Sequence, residues 1–579
     1  MNAQPFRVPA WAAALAGVAA GAVALGTSQL VAGLTNPEAS PVVAVGDAVV
    51  DATPAGLKEW AIRTFGSSDK LALIGGILVV LALVAAGLGL LARRRIRYGT
   101  GGLAVFALVG AVAAVTRPDS GALDVLPSVL GAAAGAWALT RLFRRAEPEV
   151  REWDRLAAPA DTTAWTSPFA EPVRAGADAA TLADTGGGPV RTAPAGTSDS
   201  GGEAEGTAAE RPPVMRAGGE PYAFDRRRLL TGVAVTVGVA GAAGLGGRLL
   251  SGFRDVDLAR RDVARTLPRA AVPARPIPAG ADFRIPGLSP FVTPNTDFYR
   301  VDTALVVPSV DPAAWTLKIH GLVDRPVELT FAELLKRPLV EADVTLTCVS
   351  NDVGGPYIGN ARWLGARLAD VLREAGIRRD ADMLLSVSQD GWTCGTPVDI
   401  VMDGRDALLA VAMNGEVLPA AHGFPVRQVV PGLYGYVSAT KWVTEIKVTR
   451  FDSDEAYWTP RGWSAKGPIK TESRIDVPRD GDDVSGGRTT IAGVAWAQHR
   501  GVAAVEVQVD GGPWRQATLA DVPGPDTWRQ WSIQQDLPKG RHTISVRATD
   551  VTGYTQTPVE APPAPDGATG YHSIVVQVR

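Results

Sequence analysis

The chain has 579 residues, a formal net charge of −3 with 57 Lys+Arg against 60 Asp+Glu, and two cysteines. That length predicts several domains, and a charge balance without a basic excess excludes the electrostatic footprint of a nucleic-acid partner. Residues 10–145 are dominated by Ala, Gly, Leu and Val, whereas all five histidines lie at His320 or beyond, so the two halves of the chain suit different solvents.

Five apolar stretches, read as 10–34, 70–92, 101–117, 122–142 and 229–250, approach or reach the roughly 20 residues a membrane-crossing helix needs. Arginine clusters follow the second ("RRRIRYG", 93–99) and the fourth ("RLFRR", 141–145) and precede the fifth ("DRRRLL", 225–230). Because basic loops stay in the cytoplasm, the N-terminus is expected inside, and the fifth segment carries the rest of the chain out. No His, Cys or Met lies inside these stretches, which excludes a haem or copper site within them. The cores of the first four hold no charge of the kind that marks a transport path, so residues 1–145 read as an anchoring or docking bundle of four helices.

Residues 146–224 are rich in Ala, Gly, Thr and Pro with few large apolar side chains, the composition of a disordered linker, here cytoplasmic. The fifth apolar segment, within 225–252, opens on Arg226 and Arg227 followed by Leu229 and Leu230. This pattern fits a twin-arginine export signal, and it equally fits simple positive flanking.

From 281 to 455 short strands mix with helices in an α+β pattern. "WTLKIHGLV" (315–323) alternates like a strand, and Thr330 and Glu333 have the spacing of a capping box opening a short helix. "VTLTC" is a strand delivering Cys348 to the loop "VSNDVGG", and "ARLADVLREAG" (366–376) is an amphipathic helix closed by Gly376. A thiol placed so presents sulfur to a ligand or serves as a small buried hydrophobe. In "HGFPVRQVVPGLYGYVSATKW" (422–442), His422, Arg427 and Lys441 stand among Gly and Pro turns, as an anionic, phosphate-bearing ligand requires. Over 462–579, strands recur at short spacing, Val505, Val507 and Val509 alternate with polar residues, and "VDGGPW" reads as a hairpin turn, which predicts an immunoglobulin-like β-sandwich.

"TLTCVSN", "ARWLGARLADVLREAG" and "HGFPVRQVVPGLYGYVSATKW", in that order and spacing, resemble the sulfite oxidase family of molybdopterin-dependent oxidoreductases over roughly 285–579. The resemblance implies Mo-molybdopterin, with one molybdopterin per molybdenum and no haem, and makes Cys348 the protein's only ligand to the metal. It gives Asn295, Phe298, Tyr299 and Arg300, within "TPNTDFYRVDT", contacts to the pterin and its phosphate. Asn351 joins the cofactor-binding set, and His422, Arg427 and Lys441 match the residues that hold the cofactor's polar end. The last domain resembles the family's dimerisation domain, which implies a homodimer through it.

Departures from the family bear on substrate. Sulfite-oxidising members carry an arginine shortly after the cysteine and an Arg-His pair in the N-terminal segment. Here Cys348 is followed by Val, Ser, Asn, Asp and Val, leaving Arg300 and Arg362 as stand-ins. Cys394 falls near the position of the family's tyrosine, where it lines the site, fills space, or forms a disulfide with Cys348. The resulting expectation is a multi-pass membrane protein whose catalytic domain lies outside the cytoplasm. It would perform two-electron oxygen-atom transfer on an S-oxide, N-oxide or related small molecule, with electrons exchanged with a separate carrier. The alternatives are sulfite oxidation and a cofactor-free cell-surface binding protein of the same fold.

Overall fold

The computed structural model describes residues 8–54, 56–57, 69–117, 120–146, 226–253 and 256–579. The linker expected over 146–224 lies, apart from Ala146, outside the described residues.

The N-terminal part is a helical bundle built from α1 (Ala10–Leu34), α2 (Pro41–Ala52), α3 (Asp69–Ala92), α4 (Ile96–Val115), α5 (Leu126–Ala146) and α6 (Arg226–Phe253). Five of the described helices are long and apolar enough to cross a membrane. α4 starts five residues before the apolar run at 101, at Ile96. α2 was not expected: twelve residues are too few to span, and its Pro41 occupies the first turn, where a missing N–H costs nothing.

Small residues let α1 sit at the centre of the bundle. A Cβ on Gly17 would lie 2.1 Å from the Ala85 carbonyl of α3, one on Gly33 2.4 Å from the Gly247 carbonyl of α6, and one on Gly131 of α5 1.9 Å from Ser28 Oγ. Where lipid gives no hydrophobic drive between helices, such close backbone approach supplies the packing. The register runs Gly26 beside Ala240 and Gly33 beside Gly247, so α1 and α6 are parallel. The arginine clusters at 93–97, 141–145 and 226–228 consequently gather at one end, where Gly232 packs against Leu142 and Arg145. At the other end Asn36 Nδ2 donates to Asp124 Oδ2 at 3.2 Å, and Arg117 pairs with Glu38 and with Asp47 (3.1 Å).

After α7 (Val256–Thr266), the chain forms two sheets. The first five-stranded sheet contains β1 (Thr316–Gly321) and β2 (Val327–Thr330), which precede the short helix α8 (Phe331–Leu335). Thr330 and Glu333 form the capping box as expected. Next come β3 (Leu339–Thr347), β4 (Ile358–Arg367) and α9 (Leu368–Ala375). Ala366 and Arg367 belong to the strand rather than the helix, and Gly376 caps α9 in the left-handed conformation (φ 73°). β5 (Met383–Ser388) and β6 (Thr393–Pro397) are followed by β7 (Leu408–Met413), β8 (Glu416–Val417), β9 (Arg427–Val429) and β10 (Val443–Thr449). The sheet orders are β2-β1-β10-β5-β6 and β3-β4-β7-β8, with β9 on β7. β3 is buried along nearly its whole length, as a strand covered on both faces must be.

The C-terminal part has two further sheets built from β11 (Glu472–Val477), β12 (Asp483–Val484), β13 (Gly487–Trp496), β14 (Val502–Val509), β15 (Arg515–Gln516), β16 (Thr518–Leu519), β17 (Arg529–Leu537), β18 (Gly540–Asp550) and β19 (His572–Val578). Their orders are β11-β13-β17-β16 and β12-β19-β18-β14-β15, and Ile491, Trp531, Ile544, Val546 and Val576 fill the space between them. β14 and β15 form the hairpin expected around "VDGGPW".

The bundle packing yields a prediction. Gly17→Ala places a methyl against a backbone carbonyl and should destabilise by the roughly 1–3 kcal/mol of an overpacked site, whereas Gly75→Ala, whose Cβ meets nothing within 4 Å, should be neutral. Thermal unfolding of the detergent-solubilised chain checks this, and equal midpoints for the two variants would refute the α1–α3 packing.

Candidate active site

Cys348 is the first residue after β3, and its position follows from the β3–β4 ladder. The register runs antiparallel from Leu339↔Ala366 to Thr347↔Ile358, and beyond it Cys348 N donates to Tyr357 O at 2.9 Å. The side chain is 9% exposed. Asn351 folds back over the loop: its N–H donates to Cys348 O at 3.1 Å, and its Oδ1 accepts from Tyr357 N at 2.7 Å. Its Nδ2 is buried and has no hydrogen-bond partner among the described residues.

Tyr299 connects this end to the cationic end. Its ring stacks on Phe298 (5.3 Å) and meets Tyr357 edge-on (6.4 Å), and its hydroxyl feels both the Cys348 sulfur and the Arg427 charge. Phe298, 4% exposed, stands at right angles to Trp363 (5.9 Å) and His422 (5.6 Å), so one aromatic anchor orients residues from three segments. Gly359 makes room for it: a Cβ there would sit 2.8 Å from the Phe298 ring.

At the cationic end, His422 closes a single 3-10 turn, Arg427 opens β9, and Lys441 precedes β10. His422 Nε2 donates to Asn295 O at 3.2 Å, which fixes the proton on that nitrogen in the neutral ring. Asn295 Oδ1 in turn accepts from Asn414 Nδ2 at 2.9 Å. Arg427 lies over the Trp363 ring at 5.2 Å and donates through Nη1 to His422 O at 3.4 Å, while its buried Nε has no partner among the described residues. Lys441 Nζ donates to Asp302 Oδ2 at 2.5 Å, and Arg300 Nε donates to the same oxygen at 2.7 Å.

Burial dominates the electrostatics. Desolvation pulls Lys441 down to about 8 and Arg427 to about 10, although Asp302 opposes both shifts. Desolvation, then the Arg427 and Lys441 charges, take His422 down to about 4. Burial also pushes the Cys348 thiol up, against hydrogen bonds from Ser350 and the Lys441 charge. Two adjacent cations held at depth with one compact carboxylate between them leave an uncompensated positive field, which is the requirement of an anionic group.

All nine residues proposed from the sequence thus fall in one connected site, with Asn295 and Arg300 at its more exposed margin. Arg362 does not belong to it. Its guanidinium forks onto Asp343 (2.9 and 2.8 Å) and Arg275 O, so it is committed to an ion pair within the β3–β4 ladder. Arg300 serves the Lys441–Asp302 pair rather than the cysteine end. Cys394 is fully buried with Sγ 3.6 Å from Thr396 Oγ1, and both cysteines are free thiols, so they form no disulfide. Asp302 and Asp390 were missed. Asp302 stands two residues past Arg300 in a quoted motif, but nothing in the local pattern shows that it reaches Lys441. Asp390, raised by burial, senses both Asp302 and Lys441.

Among the described residues no three His, Cys, Asp or Glu side chains converge as a metal site, so a metal at Cys348 needs most of its ligands from a bound organic group. The model of the oxidoreductase molybdopterin-binding domain matches residues 304–458, a span containing Cys348, Asn351, His422, Arg427 and Lys441. Mitochondrial sulfite oxidase of Mus musculus is 32% identical over 324 residues, 47% of this chain and 58% of that protein. The uncharacterized oxidoreductase YuiH of Bacillus subtilis (strain 168) is 34% identical over 180 residues, 30% of this chain and 87% of that protein. The solved sulfane dehydrogenase SoxCD from Paracoccus pantotrophus aligns over 50% of this chain and 84% of its own at 24% identity and a TM-score of 0.43. The chain spans 58% of the length of the first curated relative it matches.

The depressed His422 has a consequence for acid stability. Its folded value near 4 lies below the unfolded 6.5, so the unfolded chain takes up the proton first. Stability is complete above about pH 6.5 and falls towards pH 4, by about 3 kcal/mol from this group. In denaturant titrations across that window, His422→Gln should lose less stability with acid than the native chain; parallel losses would contradict a buried neutral imidazole.

Proposed function

The chain belongs to the sulfite oxidase family of molybdopterin-dependent oxidoreductases, and from that premise we propose a membrane-anchored enzyme that catalyses two-electron oxygen-atom transfer on a small molecule, removing the oxygen of an S-oxide or N-oxide as two electrons are supplied to it, or running the reverse oxidation. Its cofactor is Mo-molybdopterin. When bound, this cofactor would supply a molybdenum centre able to accept an oxygen atom while giving up an electron pair, or to release the oxygen while gaining one.

The residues present fit such a group. Arg427 Nε and Asn351 Nδ2 are buried donors without partners among the described residues, each a liability of about 1–3 kcal/mol unless a ligand accepts from them. Cys348 would hold the metal, a soft thiolate suiting a sulfur-rich centre. Arg427, Lys441 and His422, with Arg300 at the rim, would hold the phosphate end. Phe298 and Tyr299 would bound the pterin, with Asn295 orienting His422.

The observation that carries the substrate reading is that neither arginine available as a stand-in for the family's sulfite-binding cations is free to face Cys348. Residues 349–352 are Val, Ser, Asn and Asp, Arg362 is paired with Asp343, and Arg300 with Asp302. A doubly charged anion such as sulfite gives up hydration on entry and needs charge-assisted hydrogen bonds in return, whereas a neutral S-oxide or N-oxide does not. Sulfite oxidation is the competing reading, favoured by the identity to a relative bearing that name.

The five apolar helices support membrane anchoring. Their arginine clusters gather at the end opposite Asp47, and Asp47 accepts from Leu305 N of the catalytic part at 3.4 Å, which supports a catalytic unit on the side away from the cytoplasm. Arg226 and Arg227, exposed at the start of α6, support export of an already folded unit through a twin-arginine route. Electrons pass to or from a separate carrier, and the C-terminal immunoglobulin-like unit mediates homodimer formation.

Steady-state kinetics on the full chain test the substrate. Two missing cation contacts of about 1.5–3 kcal/mol each should leave sulfite turnover efficiency roughly a hundredfold or more below that for the best S-oxide or N-oxide. A sulfite kcat/KM near 10⁶ M⁻¹s⁻¹, typical of good enzymes, would establish the competing reading. Cys348→Ser should reduce turnover of every substrate to background, and Cys394→Ser should leave most of it.

A further inference from the structure

β3 is an edge strand of its sheet, and an edge strand leaves backbone groups unpaired on its outer side. Ala271 and Val272 meet them over Leu339–Glu341, and residues of the C-terminal unit meet them nearer Cys348. Thr345 N donates to Asp526 O at 2.9 Å, and Trp528 N donates to Thr345 Oγ1 at 2.7 Å. Gln498 Nε2 donates to Thr345 O (3.2 Å) and Thr347 Oγ1 (3.1 Å). The end of the strand that delivers Cys348 is therefore held by β4 on one side and by the C-terminal unit on the other.

The loop beyond Cys348 is held by the same unit. Arg474 Nη1 donates to Gly355 O at 2.8 Å, while its Nε is fixed by Asp476 (2.6 Å) and its Nη2 by Ser289 Oγ (2.9 Å). His572 Nδ1 accepts from Ile475 N at 2.9 Å, which sets the ring over Gly354. Gly354 has φ 78°, and a Cβ there would lie 2.2 Å from the imidazole, so ring and loop backbone are in direct contact. Within the loop, Gly355 N donates to Asp352 O at 2.8 Å, and Asn351 bridges to Tyr357. A shift at Gly354–Gly355 has no slack to absorb it before reaching Asn351 and Cys348.

We infer that the C-terminal β-sandwich is a working part of the catalytic site, with His572 and Arg474 acting as positioning residues that set the Cys348–Asn351 loop. A metal ligand must be held within about half an ångström of its productive place, and loops alone do so poorly. This role is separate from dimer formation, since every contact lies within one chain. It rests on Cys348 being the metal ligand.

The test is a cycle on the full chain: His572→Ala, Gly354→Ala, and both together. His572→Ala opens a space above the loop, Gly354→Ala forces loop and ring apart, and the double variant puts the new methyl where the ring stood. Each single variant should retain molybdenum, lower kcat at least about tenfold with KM changed less than about twofold, and alter the Mo(V) electron paramagnetic resonance signal. The double variant should recover part of each effect, short of complete because the left-handed backbone at position 354 disfavours alanine. Hydrogen exchange of amides 349–357 reads the clamp without reference to metal: faster in each single variant, slower again in the double. A structural role alone would lower the unfolding midpoint while kcat, the resonance signal and loop exchange stayed native. That result, or strictly additive losses in the double variant, would overturn the inference. Native loop exchange behaviour combined with full activity in Cys348→Ser would instead overturn the ligand assignment.

Discussion

The antiparallel pairing of β3 with β4 is the constraint on which the rest of the site depends. It fixes the register from Leu339↔Ala366 to Thr347↔Ile358, brings Cys348 opposite Tyr357, and leaves the following loop to turn back through Asn351. A slip of one residue would turn Cys348 to the other face of the sheet. That slip is blocked in the middle of the ladder by the Arg362–Asp343 fork and near Cys348 by the hydrogen bonds of Gln498, Asp526 and Trp528 to the outer edge. Arg362 therefore acts in register rather than in substrate binding.

The second element is a cost accepted for binding. Lys441 and Arg427 are almost fully buried, and removing two cations from water is unfavourable enough to depress both. Asp302 offsets part of this, aromatic faces of Trp363 and Trp442 offset a little more, and Arg427 Nε stays unmatched among the described residues. A site built only for stability would replace these cations with apolar side chains. Their retention next to a buried thiol argues for an anionic, metal-bearing ligand spanning from one to the other.

Much of this was legible in the sequence, and the boundary is physical. The apolar runs, the Thr330–Glu333 capping box, the Gly376 cap and the alternation at Val505–Val509 are local signals, and each element formed. That the nine residues assigned to the site by resemblance lie together was legible because three long motifs and the segment "TPNTDFYRVDT" resemble a known family. What escaped was tertiary. The reach of Asp302 to Lys441 spans 139 residues of sequence, that of Arg474 to Gly355 spans 119, and the packing of His572 on Gly354 depends on a strand at the very end of the chain. Arg362 was misjudged for the same reason, since its partner Asp343 is identifiable only from the strand register. α2 escaped because its twelve residues fall short of the roughly 20-residue apolar runs by which the other helices of the bundle were recognised.

Molybdenum K-edge X-ray absorption on the purified full chain tests most directly whether Cys348 joins the metal to the protein. The expected spectrum has a sulfur shell that loses one scatterer when Cys348 is replaced by Ser, with the remaining sulfur neighbours unchanged. An identical sulfur shell in native chain and variant, or a native chain without molybdenum after expression in a host that makes the cofactor, would contradict it.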